Sequence, residues 1–229
     1  TLNLYGRNST GTGRKEMLLY QWNDSNWEEE TVTWNYFSDH LMFSCNDSEC
    51  WDYVTSNDPT EKGKVCFFHR GDELIVASNL YSYTGDDRYA YTFIRQFMGL
   101  IDSIGVNPNV MNALDISCHI DNMSEGLLRV VDSCFMTPEV FTAALKHFWL
   151  ANEWLVNNYY GKAINNWGSF ATLGVYSIAA RFCEFSAFDR WFDATVTEND
   201  RLNQNFTRPD GSSVELAQGY MVTLLNTLY

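Results

Sequence analysis

The chain has 229 residues, of which 45% are hydrophobic and 16% aromatic, and its formal net charge is −14. This length allows one large domain or two modest ones with a sizeable core. The acidic charge and the absence of a basic stripe argue against nucleic-acid binding, which depends on Lys and Arg neutralising phosphates. The sequence contains no apolar run long enough for a membrane span and no visible signal peptide, and we expect it to be a processed or partial chain.

Cysteines and N-glycosylation sequons both occur in a pattern typical of secreted proteins. The cysteines form an even set without metal-ligand spacing, so we expect disulfides and no metal site; they are Cys45, Cys50, Cys66, Cys118, Cys134 and Cys183. The sequons stand at Asn8, Asn23, Asn46, Asn122 and Asn205. Cys45 with Cys50, and Cys118 with Cys134, are candidate local pairs, although other connectivities stay open. We therefore predict a secreted, extracellular glycoprotein.

Residues 1–45 are predicted to form β-strands. Residues 1–5 alternate in polarity, a Gly/Ser/Thr loop follows, and residues 17–22 are a second strand candidate. Residues 25–35 (SNWEEETVTWN) resemble a stretch of small β-sandwich modules found beside polysaccharide-degrading domains, including carbohydrate-binding modules of alginate-active enzymes. The resemblance implies only a fragment of such a module, since a full sandwich needs about seven strands. Trp27 and Trp34 fit core packing better than sugar contact.

Residues 46–71 combine cysteines with turn signals and are predicted to form a disulfide-pinned linker. From residue 72 to the end, the apolar residues follow a helical period. Thr137-Pro138-Glu139 is a typical helix start, and residues 212–215 offer a capping box. Helices of similar length joined by short loops predict stacked antiparallel hairpins. The predicted helices are 73–83, 87–104, about 109–118, 122–133, 138–159, 166–182, 187–204 and 213–228.

Two polar stretches within the helical part predict a shared site. Residues 165–170 (NNWGSF) place paired asparagines at a helix start. Residues 208–215 (RPDGSSVE) form a turn that leads into a helix carrying Glu215 and Tyr220. Neutral amides suit recognition of a carboxylate, and a tyrosine can donate or accept a proton.

These stretches also carry a family resemblance. The segments YTGDDRYA (83–90), NNWG (165–168) and PDGSSVE (209–215), followed by Tyr220, are similar to motifs of heparinase II/III-like and alginate-lyase-like polysaccharide lyases. The resemblance covers residues 72–229 and implies a mainly α fold. That fold is an incomplete (α/α) toroid of antiparallel helical hairpins, preceded by the β-sandwich fragment. Because toroids of this family usually continue with more helices and a β-sandwich, the domain is expected to be incomplete at its C-terminus.

The activity implied by the resemblance is β-elimination on a uronic-acid polymer such as alginate or glucuronan, without a cofactor. Asn166 is the implied carboxylate neutraliser, acting in the manner of an oxyanion hole. Tyr220 is the implied base and acid. A free tyrosine has a pKa near ~10, and the cation of Arg208 is the candidate that helps it ionise.

Four further residues are candidates for substrate binding: Asn165, Trp167, Glu215 and His119. Trp167 stands where many alginate lyases have His, which removes a proton carrier and leaves a stacking surface. His119 is a candidate for facing the cleft, and a polar residue at a helix end is its simpler interpretation. His40, His69 and His147 show no spacing that predicts a partner.

Alternatives stay open beside the secreted lyase. The first is a non-catalytic extracellular glycan-binding or structural glycoprotein with a lyase-like fold, which a glycan on Asn205 close to Arg208 would favour. A glycoside hydrolase is a weaker alternative, because it needs two acids facing each other across a cleft. The expected partner is an acidic polysaccharide, with other extracellular chains or the remainder of a longer polypeptide as further candidates.

Overall fold

A computed structural model of the chain describes residues 13–23, 26–36, 70–103, 105–106, 111–206, 208–212 and 214. Within these ranges the protein is mainly α-helical, with one β-hairpin before the helices. The strands are β1 (Gly13–Asn23) and β2 (Asn26–Tyr36). The helices are α1 (Asp72–Thr84), α2 (Asp87–Ser103), α3 (Ala113–Arg129), α4 (Pro138–Asn158), α5 (Asn166–Arg181) and α6 (Phe188–Phe206).

The two strands form an antiparallel hairpin whose register pairs Gly13 with Tyr36 and Asn23 with Asn26. The predicted strand 17–22 lies within β1, and most of the tryptophan-containing stretch 25–35 lies within β2. The backbone of β1 lies against α2. The predicted strand 1–5 lies outside the described residues, and a two-stranded hairpin is not a sandwich, so the β-sandwich fragment stays a prediction.

The chain divides into two compact units, residues 1–105 with 125–144, and residues 106–124 with 145–229. In the first unit, α1 ends at Gly85, whose φ of 65° is left-handed and whose N–H donates to the Tyr81 carbonyl at 2.8 Å. Phe93 and Phe97 of α2 are fully buried. Gly126 makes room for this core, because a Cβ there would overlap the Phe93 ring.

The second unit is built around α5, which buries residues on nearly every side. Phe148 of α4 stacks on Phe182, with ring centroids 5.7 Å apart. Gly174 of α5 lies so close to α3 that a Cβ would approach the Ser117 Cα to 2.9 Å. Trp191 of α6 is fully buried. This tight packing fixes the direction in which α5 begins, and that helix start carries the paired asparagines.

One helix prediction is wrong. Residues 109–118 and 122–133 were expected to form two helices, whereas α3 runs without interruption from Ala113 to Arg129. The sequence contains neither Gly nor Pro between residues 113 and 125. A buried apolar stripe with helical spacing also continues through the expected break; it consists of Ile116, Ile120, Met123 and Leu127.

The other described helices agree with their predicted bounds to within two residues. The predicted helix 213–228 lies almost entirely outside the described residues. None of the described helices combines the length and apolar character that crossing a membrane requires.

The predicted disulfide between Cys118 and Cys134 is also wrong. Cys134 and Cys183, both described, are exposed and have free thiols. The local pairing assumed a break between two helices after Cys118, whereas α3 continues through this point to Arg129. Cys45, Cys50 and Cys66 lie outside the described residues.

Candidate active site

The two adjacent asparagines at the start of α5 have different positions in the helix. Asn165 is the N-cap, with an extended backbone (φ −158°), and its side-chain oxygen accepts a hydrogen bond from the Gly168 N–H at 3.1 Å. This bond satisfies one of the N–H groups that lack a partner at a helix start. The Asn165 oxygen is therefore used by the helix, and Asn166 is the amide that follows it.

Asn166 is the first helical residue of α5 and is mostly buried, with 9% exposure. Trp167 beside it is exposed. The fully described first turn of α5 carries no acidic residue, whereas the first turns of α2, α3, α4 and α6 each carry one. Because the N-terminus of a helix is the positive end of its dipole, this start is electrostatically suited to an anion.

The turn that leads into α5 forms hydrogen bonds with two residues of α6, Glu198 and Arg201. Glu198 is 5% exposed, and its carboxylate accepts a hydrogen bond from the Gly161 N–H at 3.1 Å. Arg201 donates to the same carboxylate from Nε at 2.8 Å and from Nη2 at 2.6 Å, and Nη2 also donates to the Ala163 carbonyl. The hydrogen bonds to Glu198 raise the pKa of Arg201.

Tyr160 joins the same turn to α5 and α6. Its hydroxyl lies 3.1 Å from the Thr195 hydroxyl and 3.4 Å from the Ala171 carbonyl. Burial raises the pKa of Tyr160, so this phenol stays protonated. It therefore serves as a structural hydrogen-bonding group rather than as a base.

His119 lies in the interior of α3 with 2% exposure, not at a helix end. Its Nε2 is 2.8 Å from Nε2 of His147, which is also buried, and the rings meet edge to face. The sequence shows no spacing that predicts this partner of His147, because the two residues are 28 positions apart and their pairing depends on the fold. Burial, and secondarily the charge of His119, lower the pKa of His147 well below its usual value.

The second predicted stretch begins with a turn after α6. Arg208 is exposed, its N–H donates to the Ser212 carbonyl at 2.8 Å, and Gly211 has a left-handed φ of 82°. Asp210 accepts hydrogen bonds from the Ser212 hydroxyl at 2.7 Å and the Ser212 N–H at 2.9 Å, which lower its pKa. Glu215 and Tyr220 lie outside the described residues, so the meeting of Arg208 with Tyr220 stays a prediction.

Glu198 and Arg201 are the residues of this region that sequence reasoning missed. A signal was present, because Glu198 stands at helical spacing among the buried residues of α6, which are Trp191, Thr195, Leu202 and Phe206. A carboxylate in such a stripe is rarely buried without a partner.

Two other sets of predicted residues can be placed. Two sequon asparagines have described side chains: Asn205 is exposed at the end of α6, where its amide donates to the Arg201 carbonyl at 2.7 Å, and Asn122 is half-buried in α3. Asn8 and Asn46 lie outside the described residues. Within the part of the chain that the structure describes, no three His, Cys, Asp or Glu side chains cluster as metal ligands would.

Comparison with known proteins places this arrangement in a family. The chain matches the model of the Heparinase II/III N-terminus family over residues 17–229. Its structure is similar to that of the heparan sulfate lyase HepC from Pedobacter heparinus, with a TM-score of 0.60 and 17% identity over 78% of this chain and 32% of that one. A HepC mutant matches with a TM-score of 0.64 and 15% identity, covering 92% of this chain and 31% of that one. A heparinase III gene product with methylated lysines matches with a TM-score of 0.68 and 18% identity, covering 83% of this chain and 32% of that one.

No curated protein sequence matches this chain. The chain spans about a third of the length of the solved structures that it matches. At these identities the structures show the fold alone, which is the mainly α toroid fragment that the resemblance implied. Since the family model matches most of its length, the chain belongs to the Heparinase II/III N-terminus family.

Proposed function

We propose that this protein is a polysaccharide lyase, or part of one, that cleaves a uronic-acid polymer by β-elimination. The observation that carries the proposal is the start of α5, where Asn165 caps the helix and Asn166 follows as its first residue. The membership of the chain in the Heparinase II/III N-terminus family supports the same activity.

The chemistry requires a group that stabilises negative charge on the uronate carboxylate. The C5 proton is poorly acidic because the neighbouring carboxylate already carries a charge, and its removal adds enolate-like charge to the same oxygens. In the proposed role, the Asn166 amide donates a hydrogen bond to that carboxylate, and the positive end of the α5 dipole adds to the stabilisation. The low exposure of Asn166 strengthens such a bond, because little water competes for it.

Tyr220 is the proposed base that removes the C5 proton and the acid that protonates the departing glycosidic oxygen. This assignment rests on its place after the PDGSSVE segment of residues 209–215. Arg208, exposed at the start of that segment, is the proposed cation that lowers the cost of ionising the phenol. Exposed Trp167 offers a flat surface on which a sugar ring can stack.

The proposed substrate is an extracellular acidic polysaccharide. Alginate and glucuronan are the polymers that the sequence resemblance implies, and the similar solved structures are described as heparan sulfate lyases. All three polymers present a uronate carboxylate to an amide such as that of Asn166. The exposed side chain of Asn205, the asparagine of a sequon, is in keeping with a secreted protein.

The test is an ultraviolet assay of the full-length protein with heparan sulfate, alginate and glucuronan, following the absorbance of the unsaturated uronate product. We expect Asn166→Ala to lower kcat by about 10²–10³-fold, the usual cost of losing one such donor. Asn203→Ala is the matched control, because Asn203 is exposed on α6. Tyr220→Phe should abolish the signal, whereas Tyr176→Phe, at an exposed tyrosine of α5, should not.

Absence of product from every polymer, with the wild-type protein demonstrably folded, would contradict the proposal. Binding to one of the polymers without cleavage would favour the non-catalytic glycan-binding alternative. Full activity of Asn166→Ala would reject the role of this amide while leaving the lyase activity standing.

A further inference from the structure

We propose that Glu198 and Arg201 are positioning residues that act on Asn166 through the main chain of residues 161–163. The inference rests on the proposed function, since it assigns the pair to the amide that would bind the uronate carboxylate. Neither residue belongs to the motifs that carry the family resemblance.

The first argument is that both residues of the pair hold main-chain groups. The Glu198 carboxylate accepts from the Gly161 N–H, and the Arg201 guanidinium donates to the Ala163 carbonyl while remaining paired with Glu198. Gly161 has a left-handed φ of 78°, which other residues rarely adopt, so the turn has a definite shape at the point of attachment. The pair therefore fixes the two sides of one short turn.

The second argument concerns stability. A buried ion pair gains little over well-packed apolar side chains, because removing two charges from water costs as much as their attraction returns. Glu198 lies on the buried face of α6 together with Trp191, Leu202 and Phe206, where a carboxylate is uncommon. What the carboxylate adds at this position is a defined geometry, because it bonds the Gly161 N–H and the Arg201 guanidinium that holds the Ala163 carbonyl.

The third argument is that a shift of the turn would also shift Asn166, because the two are close in sequence and tightly packed. Ala163 is only three residues from Asn166, and its carbonyl would lie 3.4 Å from a Cβ on Gly168. The same Cβ would lie 3.0 Å from Leu202 of α6, so the first turn of α5 is seated directly on this helix. Movement of residues 161–163 would displace the Asn166 amide, and a misplacement of about 1 Å can cost about 10²-fold in rate.

Glu198→Gln tests the proposal, because it keeps the side-chain shape and removes the charge that holds Arg201. We expect kcat on the cleaved polymer to fall by about 10- to 100-fold with KM changed less than threefold, since the amide acts chiefly in the transition state. We also expect faster amide hydrogen exchange at residues 161–168. The matched control is Glu153→Gln, because Glu153 also accepts hydrogen bonds from an arginine and a second donor, Arg190 and Trp191, but does not touch the turn.

Hydrogen exchange separates the two proposals, because it reports on the turn whether or not the protein is a lyase. Faster exchange at residues 161–168 in Glu198→Gln, but not in Glu153→Gln, supports the positioning role of Glu198 and Arg201 even if the wild type cleaves no polymer. Wild-type exchange at these residues in Glu198→Gln overturns it, as does an unchanged kcat in an active enzyme. If Glu198→Gln fails to fold, Glu198→Met serves instead, since it fills the same volume without a charge.

Discussion

At the scale of single residues, the buried pair of His119 and His147 makes the stability of the fold depend on pH. Burial, followed by the charge of His119, lowers the pKa of His147 in the folded protein. In the unfolded chain the same group titrates near ~6.5. At a pH between the pKa values of His147 in the folded and unfolded states, the unfolded state binds a proton and the folded state does not. The free energy of unfolding therefore falls as the pH falls.

We therefore expect the free energy of unfolding to fall from about pH 6.5 downwards, by up to about 1.4 kcal/mol per pH unit for one proton. Urea unfolding at several pH values measures it, and His147→Gln should flatten the profile. The carboxyl groups of Asp86 and Glu153 do not interfere above about pH 5, because their pKa values are lowered and unfolded carboxyls titrate near ~4. Equal slopes for wild type and variant between pH 5 and 6.5 would contradict this account.

At the scale of helices, the close approach of α5 to α3 makes a prediction about Gly174. An alanine there adds a Cβ 2.9 Å from the Ser117 Cα and 3.0 Å from its carbonyl oxygen, and these backbone atoms cannot turn aside. Alanine favours a helix by about 1 kcal/mol over glycine, but overpacking costs about 1–3 kcal/mol. We expect Gly174→Ala to destabilise the protein by about 1 kcal/mol, measured by urea unfolding.

The control for Gly174→Ala is Ala180→Gly, at an exposed position of the same helix. It should cost about 1 kcal/mol through helix propensity alone. A Gly174→Ala variant that is more stable than wild type would mean that α3 and α5 separate easily.

Helix starts were predictable from the sequence because the signals that decide them are local. Thr137 and Pro138 fixed the start of α4, and Asn165 fixed the start of α5, because capping is a property of a few adjacent residues. The continuity of α3 was missed although its apolar stripe was visible in the sequence. The contact of Gly161 with Glu198, 37 residues away, has no sequence signal for its partner.

At the scale of the whole molecule, net charge makes a prediction about ionic strength. The chain carries −14 and the proposed substrate is also an anion, so long-range repulsion slows their encounter. We expect kcat/KM to rise as salt increases from about 10 to 150 mM, because the Debye length shortens from about 30 to 8 Å. Initial rates of product formation over this range measure the effect. A steady fall instead would mean that local cations such as Arg208 dominate the encounter.

The family fold was predictable because three short motifs occur in a fixed order, and the match over residues 17–229 confirms the family. The substrate was not, since the identity of the uronate depends on side chains that touch the sugar rings and the same fold serves several polymers. The proposed division at residues 45 and 71 also stays a prediction, because residue 45 and nearly all of the proposed linker 46–71 lie outside the described residues.

The attachment of the turn before α5 through its main chain has a consequence for how such a protein can change. Glu198 and Arg201 hold main-chain groups, the Gly161 N–H and the Ala163 carbonyl, and of these two residues only Gly161 is restricted by a left-handed φ. The side chains of Lys162 and Ile164, which precede the start of α5, are exposed and take no part in the hydrogen bonds to Glu198 and Arg201. If the proposed roles hold, substitutions at these two positions change the surface beside Asn166 and leave both main-chain hydrogen bonds in place.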